Sequence, residues 1–586
     1  MKTPLNLMLL SFLLAFASCN LTSNSFENPD KDKLLLQVIS YVLEEGHVDP
    51  KDFDDDFSES IFERYIAQID PYKRYLYDAD MAAFEVYRFE LDDELRAYEL
   101  NFFNTSVEIL SKRLKEAQLF YKEILSKPFD YSLNEAYSSD IENIDFTNSK
   151  KELEDRWRQQ LKLSSMLNYH DLVEENENAE KKKSERELEI EAREETMKSM
   201  DEFFDFMDDR ERRDWFDTYV NAIVEEFDPH TYYLSPATKD RFDTDMSGNF
   251  EGIGARLQKR MDHISVNEII SGGPAWRQNK LEVGDIILKV RQSNEKEAIS
   301  IVGMRTDEAV KLIKGPKGTD VILTLKKVDG TIEDLKITRD IVELEEVYVK
   351  SSVVEKNGSR YGLIDLPKFY VDFDNYKERN AATDVKREIE RLKAEGVEGI
   401  IIDLRGNGGG SLPTVVEMTG LFIEKGPVVQ VRSTGQKPEQ KKDNDPSVTW
   451  DGPLVVMVNE LSASASEIFA AAIQDYKRGI IIGSPQTYGK GTVQNVFDLN
   501  RMVRNNTLGD IGALAFTTQK FYRINGGSTQ LKGVNSDIVI PDRYSFIDVG
   551  ERDLENPLPW DEITPADYTL WSGELDYTYV ITNSKN

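Results

Sequence analysis

The sequence predicts a multidomain α+β protein: a helical N-terminal domain, a small β-rich domain, then a layered α/β domain. Three observations predict it. At 586 residues the chain is too long for one hydrophobic core. From residue 33 to about 247, apolar residues recur at helical spacing. Beyond that come short β-rich runs broken by glycine turns over 248–340, then strands alternating with helices over 341–545.

Composition narrows the function. Apolar content of 40% and charged content of 31% are ordinary for globular domains. A net charge of −34, from 107 acidic and 73 basic residues, argues against nucleic acid as a partner, because phosphate binding needs basic patches. Cys19 is the only cysteine, so neither an intrachain disulfide nor a multi-thiolate zinc site can form. His47, His170, His230 and His263 make no metal-binding pair in sequence, and no metal or organic cofactor is expected.

Residues 1–18 read as an export signal. Lys2 is their one charge, 5–16 form an apolar stretch too short to span a bilayer, and Ala17-Ser18-Cys19 follows. Small residues before the lone cysteine resemble a bacterial lipoprotein signal, although Phe16 stands where leucine is usual. That resemblance implies that Cys19 is lipidated and that the protein is periplasmic, touching the membrane only through its lipid anchor. An ordinary secretory peptide with an incidental cysteine is the alternative. Residues 19–32 are polar and read as a tether.

The helical domain, 33–247, follows. Leu34, Leu35, Leu36, Val38, Ile39, Val42 and Leu43 form one helical face. Ile61, Phe62, Tyr65, Ile66 and Ile69 form another, which Asp70-Pro71 ends. Further helices are expected over 80–98, 103–126, 136–143, 148–168 and 196–227. The charged stretch 174–193 reads as a solvated helix laced with i,i+4 pairs. Asp228-Pro229-His230-Thr231-Tyr232 breaks the pattern, and His230 reads as a structural histidine in a turn.

In the β-rich part, E-G-I-G-A at 251–255 precedes strands near 263–266, 285–290, 320–325 and 334–338, with helical pieces near 274–279 and 306–313. G-G-P-A at 272–275 and V-G-D at 283–285 punctuate them. In this order they resemble a PDZ domain over 248–340. Consecutive backbone N–H groups at glycines cradle a C-terminal carboxylate, and the peptide adds as a strand to the sheet edge. On that resemblance Gly252, Ile253, Gly254 and Ala255 form the cradle, while Ile253, Leu257 and Leu312 line the pocket for the last apolar side chain.

The α/β part, 341–545, offers strands at 361–366, 397–404, 428–431, 454–458, 479–482 and 514–522, helices at 374–395 and 414–423, and a polar surface loop at 433–450. After strand 454–458 come Ser462, Ser464 and Ser466, then an alanine-rich helix. A serine in a tight strand-to-helix turn exposes its Oγ, and the helix N-terminus favours developing negative charge. Such a serine needs a base. No histidine follows His263, so Lys490, flanked by Gly489 and Gly491 and neutral once buried, is the simplest base. The glycines at 406–410 lack a nucleotide-binding pattern, and bare glycines instead bring a backbone N–H close to a reacting oxyanion.

Several long motifs occur in one order: D-P-Y-K-R-Y-L-Y, D-L-R-G-N-G-G-G, S-A-S-A-S-E-I-F-A-A-A-I-Q-D, T-Y-G-K-G-T-V-Q, F-Y-R-I-N-G-G-S-T-Q and K-G-V-N-S-D-I-V-I-P. Together they resemble the tail-specific (C-terminal-processing) serine proteases of bacteria, from about Phe53 to about Asp561. The resemblance implies an α/β core of the crotonase/ClpP-like kind and an endopeptidase acting on proteins with apolar C-termini. It implies Ser464 as nucleophile, Lys490 as general base, and Gln494, one helical turn beyond Lys490, as the residue orienting the lysine. Gly410 and Ala465 match the oxyanion hole, and Glu467, Asp475 and Thr487 match supporting positions. An adaptor protein is left open as a further partner. The stretch S-P-Q-T-Y-G-K is one residue longer than the family's usual form, and a bulge near Gln486 is expected to absorb it. Residues 546–586 resemble the start of a longer helical tail. Two alternatives compete: a PDZ scaffold on an inactive protease fold, and a crotonase-like enzyme acting on small thioesters.

Overall fold

The computed structural model describes residues 29–138, 140, 143–373, 375–377, 379–504, 506–573 and 577–584. The stretch 1–18 expected to be an export signal, and Cys19, lie outside these residues. Helix Pro29–Gly46 already begins inside the stretch read as a tether.

The helical domain is built on aromatic packing. Helices Asp55–Ile69, Asn101–Leu125 and Arg212–Val224 turn Tyr65, Phe102, Phe103 and Tyr219 into one fully buried cluster. Ring centroids are 5.1 Å apart for Tyr65 and Tyr219 and 5.4 Å for Phe103 and Tyr219. Such pairs contribute about 0.5–1.5 kcal/mol each beyond their burial. Four sequence expectations need correction, the first being that 196–227 is divided between the end of helix Glu185–Asp208 and helix Arg212–Val224. The segment 80–98 is broken into Asp78–Phe84 and Leu91–Ala97. Residues 136–138, 140 and 143 are irregular, not helical. The charged stretch 174–193 is the corner of a hairpin between helices Lys150–Glu177 and Glu185–Asp208. Ser184 and Glu187 form a reciprocal capping box there, which starts the second helix.

The α/β core has two sheets. In the first, the strand order is Lys350–Lys356, Ser359–Asp365, Gly399–Asp403, Leu454–Val458, Ile480–Gly483, Ile538–Val539, parallel from the second strand onward. Leu363, Ile401, Val455 and Ile480 lie in one register row. The inner strands carry isoleucine and valine on both faces, as buried parallel strands must. Helices Ala381–Ala394, Leu412–Gly420 and Ala465–Asp475 accompany them. The first starts later than the periodicity suggests, because Asn380 caps it by accepting from the Thr383 N–H at 3.0 Å.

The second sheet is antiparallel. Ala513–Tyr522 is flanked by Thr492–Asp498 and by Gly426–Arg432, which in turn pairs with Glu439–Asp443. The expected surface loop 433–450 therefore contains a strand. Tyr232–Leu234, from the end of the helical domain, also pairs with Ala513–Tyr522, matching Tyr233 to Leu514. The Val48 N–H adds a bond to Thr517 O at 2.8 Å. The helical domain is thus stitched into the core sheet.

Between them sits the β-rich domain expected to be of PDZ type, entered and left through the paired strands Asn249–Gly252 and Asp340–Glu343. Its sheet runs Ala255–Arg260, His263–Ile269, Ile286–Gln292, Asp320–Lys326, Ile332–Thr338. Ala255–Arg260 is an edge strand, with helix Thr306–Ile313 packed beside it. Two ion pairs tie this edge to the helical domain: Arg305 makes two bonds to Asp214 at 2.6 and 3.0 Å, and Lys259 reaches Asp209 at 2.7 Å. A cavity of about 1560 Å³ remains between the two domains, bordered by Leu257, Met261, Phe206 and Asp217.

Because Tyr233 is buried, donates to Ile511 O at 3.1 Å and bridges helical domain and core sheet, Tyr233→Ala is expected to cost about 3 kcal/mol. Calorimetry should show the main unfolding transition moving down as one unit. Two separating transitions would contradict a stitched pair of layers.

Candidate active site

Strand Leu454–Val458 leads through Asn459 into a tight turn that ends at Ser464, the cap of helix Ala465–Asp475. Ser464 has φ 55° and ψ −111°, a conformation costly for any residue with a Cβ. The surroundings hold it there. The Ser464 N–H donates to Glu467 Oε2 at 2.7 Å, and Ser464 O accepts from the Ile468 N–H at 2.9 Å. Of the three alternating serines, Ser462 and Ser466 are fully buried and spent on the fold. Ser462 Oγ donates to Leu404 O at 2.8 Å and Ser466 Oγ to Asn407 O at 2.9 Å. Ser464 alone is part-exposed.

The glycine cluster after strand Gly399–Asp403 lies against this turn. Gly409 has φ +106°, and a Cβ there would stand 2.8 Å from Ser464 Cβ and 2.9 Å from Ala463 O. Gly410 has φ +139°, and a Cβ there would meet Phe369 O at 2.3 Å. Phe369 pairs with this strand through Gly409 O and the Ser411 N–H, each at 2.9 Å, which leaves the Gly410 N–H outside the pairing. Ala465 is the first helical residue, so its N–H lies outside the intrahelical ladder. Asn407, which the sequence reading passed over, fixes both parts. It is fully buried, its O accepts from the Ala463 N–H at 3.0 Å, and its Oδ1 accepts from the Gly409 N–H at 2.9 Å. A polar side chain amid glycines in a motif was the available signal.

Lys490 arrives from a different direction, on the loop before strand Thr492–Asp498. One buried carboxylate joins that loop to the serine turn. Glu467 Oε1 accepts from Thr487 Oγ1 at 2.6 Å and from the Gly489 N–H at 2.7 Å. Glu467 Oε2 accepts from the Lys490 N–H at 3.0 Å as well as from Ser464. Burial pushes this carboxyl up to about 8, against the pull of those four donors. Lys490 itself is held below the ordinary ammonium range by burial, a shift opposed by the negative charges of Glu551, Asp228 and Glu467. Among the described residues, Ser464 Oγ and Lys490 Nζ are not joined by a hydrogen bond.

The other expected residues fall as follows. Thr487 is buried and supports Glu467; it also accepts from the Val534 N–H at 2.8 Å. Asp475 sits at the far end of the helix that follows Ser464, pairing with Arg523 and accepting from Asn525 Nδ2 at 2.9 Å. Gln494 lies on a strand, not one helical turn beyond Lys490, and its amide donates to Thr492 Oγ1 at 2.9 Å and Thr517 Oγ1 at 3.0 Å. Around the extra residue, Gln486 bridges Asn535 and the Thr487 N–H bonds Val534 O at 3.1 Å, so the segment is docked and Pro485 is its exposed residue. In the PDZ domain Gly254 has φ +79°, and the Ile253 and Gly254 carbonyls accept from Ala275 at 2.8 Å and Ile270 at 2.9 Å. Ile253 is 3% exposed and part of the core, while Leu257 and Leu312 lie half-buried against it. His230 is no isolated turn residue: its Nε2 lies 2.6 Å from the buried carboxylate of Glu551.

A layered α/β core with a serine on a strained turn, joined to a PDZ domain, is the architecture of a C-terminal-processing serine protease. The model of peptidase family S41 matches residues 360–540, and a PDZ model matches 243–326. Models of the tail-specific protease N-terminal and C-terminal domains match 39–237 and 544–586. A tail-specific protease of Haemophilus influenzae is 35% identical over 537 residues, covering 91% of this chain and 74% of that one. A probable CtpA-like serine protease of Staphylococcus epidermidis is 32% identical over 349 residues, covering 57% of this chain and 64% of its own. The solved PDZ domain of a carboxy-terminal protease from Vibrio cholerae, in complex with peptide, is 39% identical, covering 16% of this chain and 99% of that one, at a TM-score of 0.16. The chain belongs to the tail-specific protease family.

Replacing Glu467 tests how the site is held. In Glu467→Gln an amide NH₂ would confront backbone N–H groups that now meet a carboxylate oxygen. Thermal unfolding should show a loss of about 3 kcal/mol, and peptidase activity should fall at least tenfold; wild-type values for both would contradict the role given to this carboxylate.

Proposed function

We propose that this protein is an exported, lipid-anchored endopeptidase of the cell envelope that captures proteins by apolar C-termini and cleaves them with a Ser464–Lys490 dyad. The observation that carries it is the bridge through Glu467, which holds the backbone of the serine turn and of the lysine loop on one carboxylate oxygen.

In the reaction, neutral Lys490 takes the Ser464 Oγ proton as the oxygen attacks a peptide carbonyl. The Gly410 and Ala465 N–H groups receive the developing oxyanion, aided by the helix N-terminus. Lys490 then protonates the leaving amine, and water, activated by the same lysine, releases the acyl group. Burial supports this role, because a lysine in water would stay charged near neutral pH. An apolar tail would add as a strand beside Ala255–Arg260, its last side chain near Leu257 and Leu312 and its carboxylate on the backbone of 252–255. The adjoining cavity gives the incoming chain room. The lipid anchor would be carried by Cys19, in the periplasm.

Cleavage of an unfolded protein ending in alanine and leucine tests the reading. Ser464→Ala and Lys490→Ala should each lose about a thousandfold or more in kcat, and undiminished cleavage by either sinks the dyad. Exchanging the two terminal apolar residues for aspartate should raise KM about tenfold or more with kcat little changed; equal KM values would remove the apolar-tail specificity. Separately, radiolabelled palmitate should enter the wild-type chain and not Cys19→Ala in cells, and equal labelling would remove the anchor.

A further inference from the structure

Beside the dyad lies a buried acid–histidine array contributed by the helical domain and the C-terminal segment. Glu551, in the C-terminal segment, is fully buried. Its N–H donates to Tyr488 O at 2.9 Å. Its Oε1 accepts from Gln530 Nε2 at 2.8 Å, and Gln530 Oε1 in turn accepts from the Gly491 N–H at 2.7 Å. One residue therefore grips the lysine loop two positions before Lys490 and, through Gln530, one position after it. The other oxygen, Oε2, meets His230 Nε2 at 2.6 Å.

His230 is itself anchored. Its N–H donates to Asp228 Oδ1 at 2.8 Å, and Asp228 Oδ2 meets His47 Nε2 at 2.7 Å and accepts from Thr231 Oγ1 at 2.7 Å. Thr231 Oγ1 accepts from the Thr517 N–H at 3.3 Å, and Thr517 Oγ1 accepts from Gln494. The charged groups facing Lys490 are Glu551, Asp228 and Glu467, with His230 and His47 bound to the first two and Tyr488 alongside. Burial would raise the Asp228 carboxyl, but the bonds from His47, Thr231 and the His230 N–H hold it at about 2. Of the three negative charges, Glu551 opposes the lysine's deprotonation most strongly.

We propose that Glu551 is a positioning residue for the general base, clamping the Lys490 loop from both sides and placing a buried negative charge beside it, with His230 locking Glu551 in place. The proposal rests on the dyad reading above. A neutral glutamine could keep much of the clamp, so the carboxylate's distinct contribution is its charge. That charge favours the ammonium form and counters burial, which sets the pH at which Lys490 becomes a base. The helical domain and the C-terminal segment thereby act on the chemistry without touching substrate.

The test is the rate of Ser464 acylation by a fluorophosphonate, followed against pH in the full chain, with thermal unfolding of each variant. Glu551→Gln should move the acid limb of the profile to lower pH by about one unit, because removing the negative charge favours neutral lysine. Glu551→Ala should lose about tenfold or more on the plateau, with its limb moved in the same direction, and Glu551→Gln should restore much of the plateau. His230→Asn, which leaves Glu551 in place, should lower the plateau several-fold with the limb unmoved. An unmoved limb in Glu551→Gln overturns the proposal, whether its rate is that of the wild type or falls only with the folded fraction. Lys490→Ala, run alongside, separates the two readings: wild-type acylation by that variant would defeat the dyad itself, while its inactivity with an unmoved limb in Glu551→Gln defeats the proposal alone.

Discussion

The site depends on a single buried carboxylate. Glu467 offers two oxygens and receives four donors, two from the Lys490 loop on Oε1 and one each from Lys490 and Ser464 on Oε2. Burying a carboxylate is costly unless its lone pairs are filled, and here they are filled by groups the mechanism needs in fixed places. Burial pushes the group up to about 8, yet every partner is a donor, so the geometry suits the ionised form. The strain at Ser464, φ 55°, is tolerated because the bond from its N–H to Glu467 holds the turn.

Around that point the fold brings together elements that are far apart in sequence. The parallel sheet delivers the serine turn and the glycine cluster at neighbouring strand ends, where open α/β sheets place their chemistry. The antiparallel sheet delivers Lys490 just before strand Thr492–Asp498. That sheet also accepts strand Tyr232–Leu234 from the helical domain, so the D-P-H-T turn is carried to the lysine side of the site. The PDZ domain is fixed by ion pairs to the helical domain, and its entry and exit segments pair with each other in a short two-stranded ribbon.

Much of this was legible in the sequence. The domain order and the family resemblance could be read because each long motif encodes a local backbone demand. D-L-R-G-N-G-G-G needs positive φ at Gly409 and Gly410, and S-A-S-A-S needs two serines spent on backbone carbonyls and one left part-exposed. What was not legible has physical reasons as well. Strand Tyr232–Leu234 has three residues, too few for an alternation, and its existence depends on a partner some 280 residues away. Gln494 was placed on a helix because a spacing of four suits one, but the segment pairs as a strand. His230 looked like an isolated turn residue because Glu551, its partner, lies 321 positions further on in a stretch with no motif of its own. The charged segment 174–193 has uniform helical composition, and only the Ser184 capping box marks where the chain turns.

The burial that would make Lys490 a base is measured most directly by the lysine's own titration. Lysine labelled with ¹³C at Cε would be followed by NMR across the alkaline range in the folded protein, with Lys490 assigned by comparison with Lys490→Arg. Lys490 should titrate below the surface lysines, in the direction its burial sets, as an inflection distinct from theirs. A Lys490 resonance that titrates together with the surface lysines would contradict it.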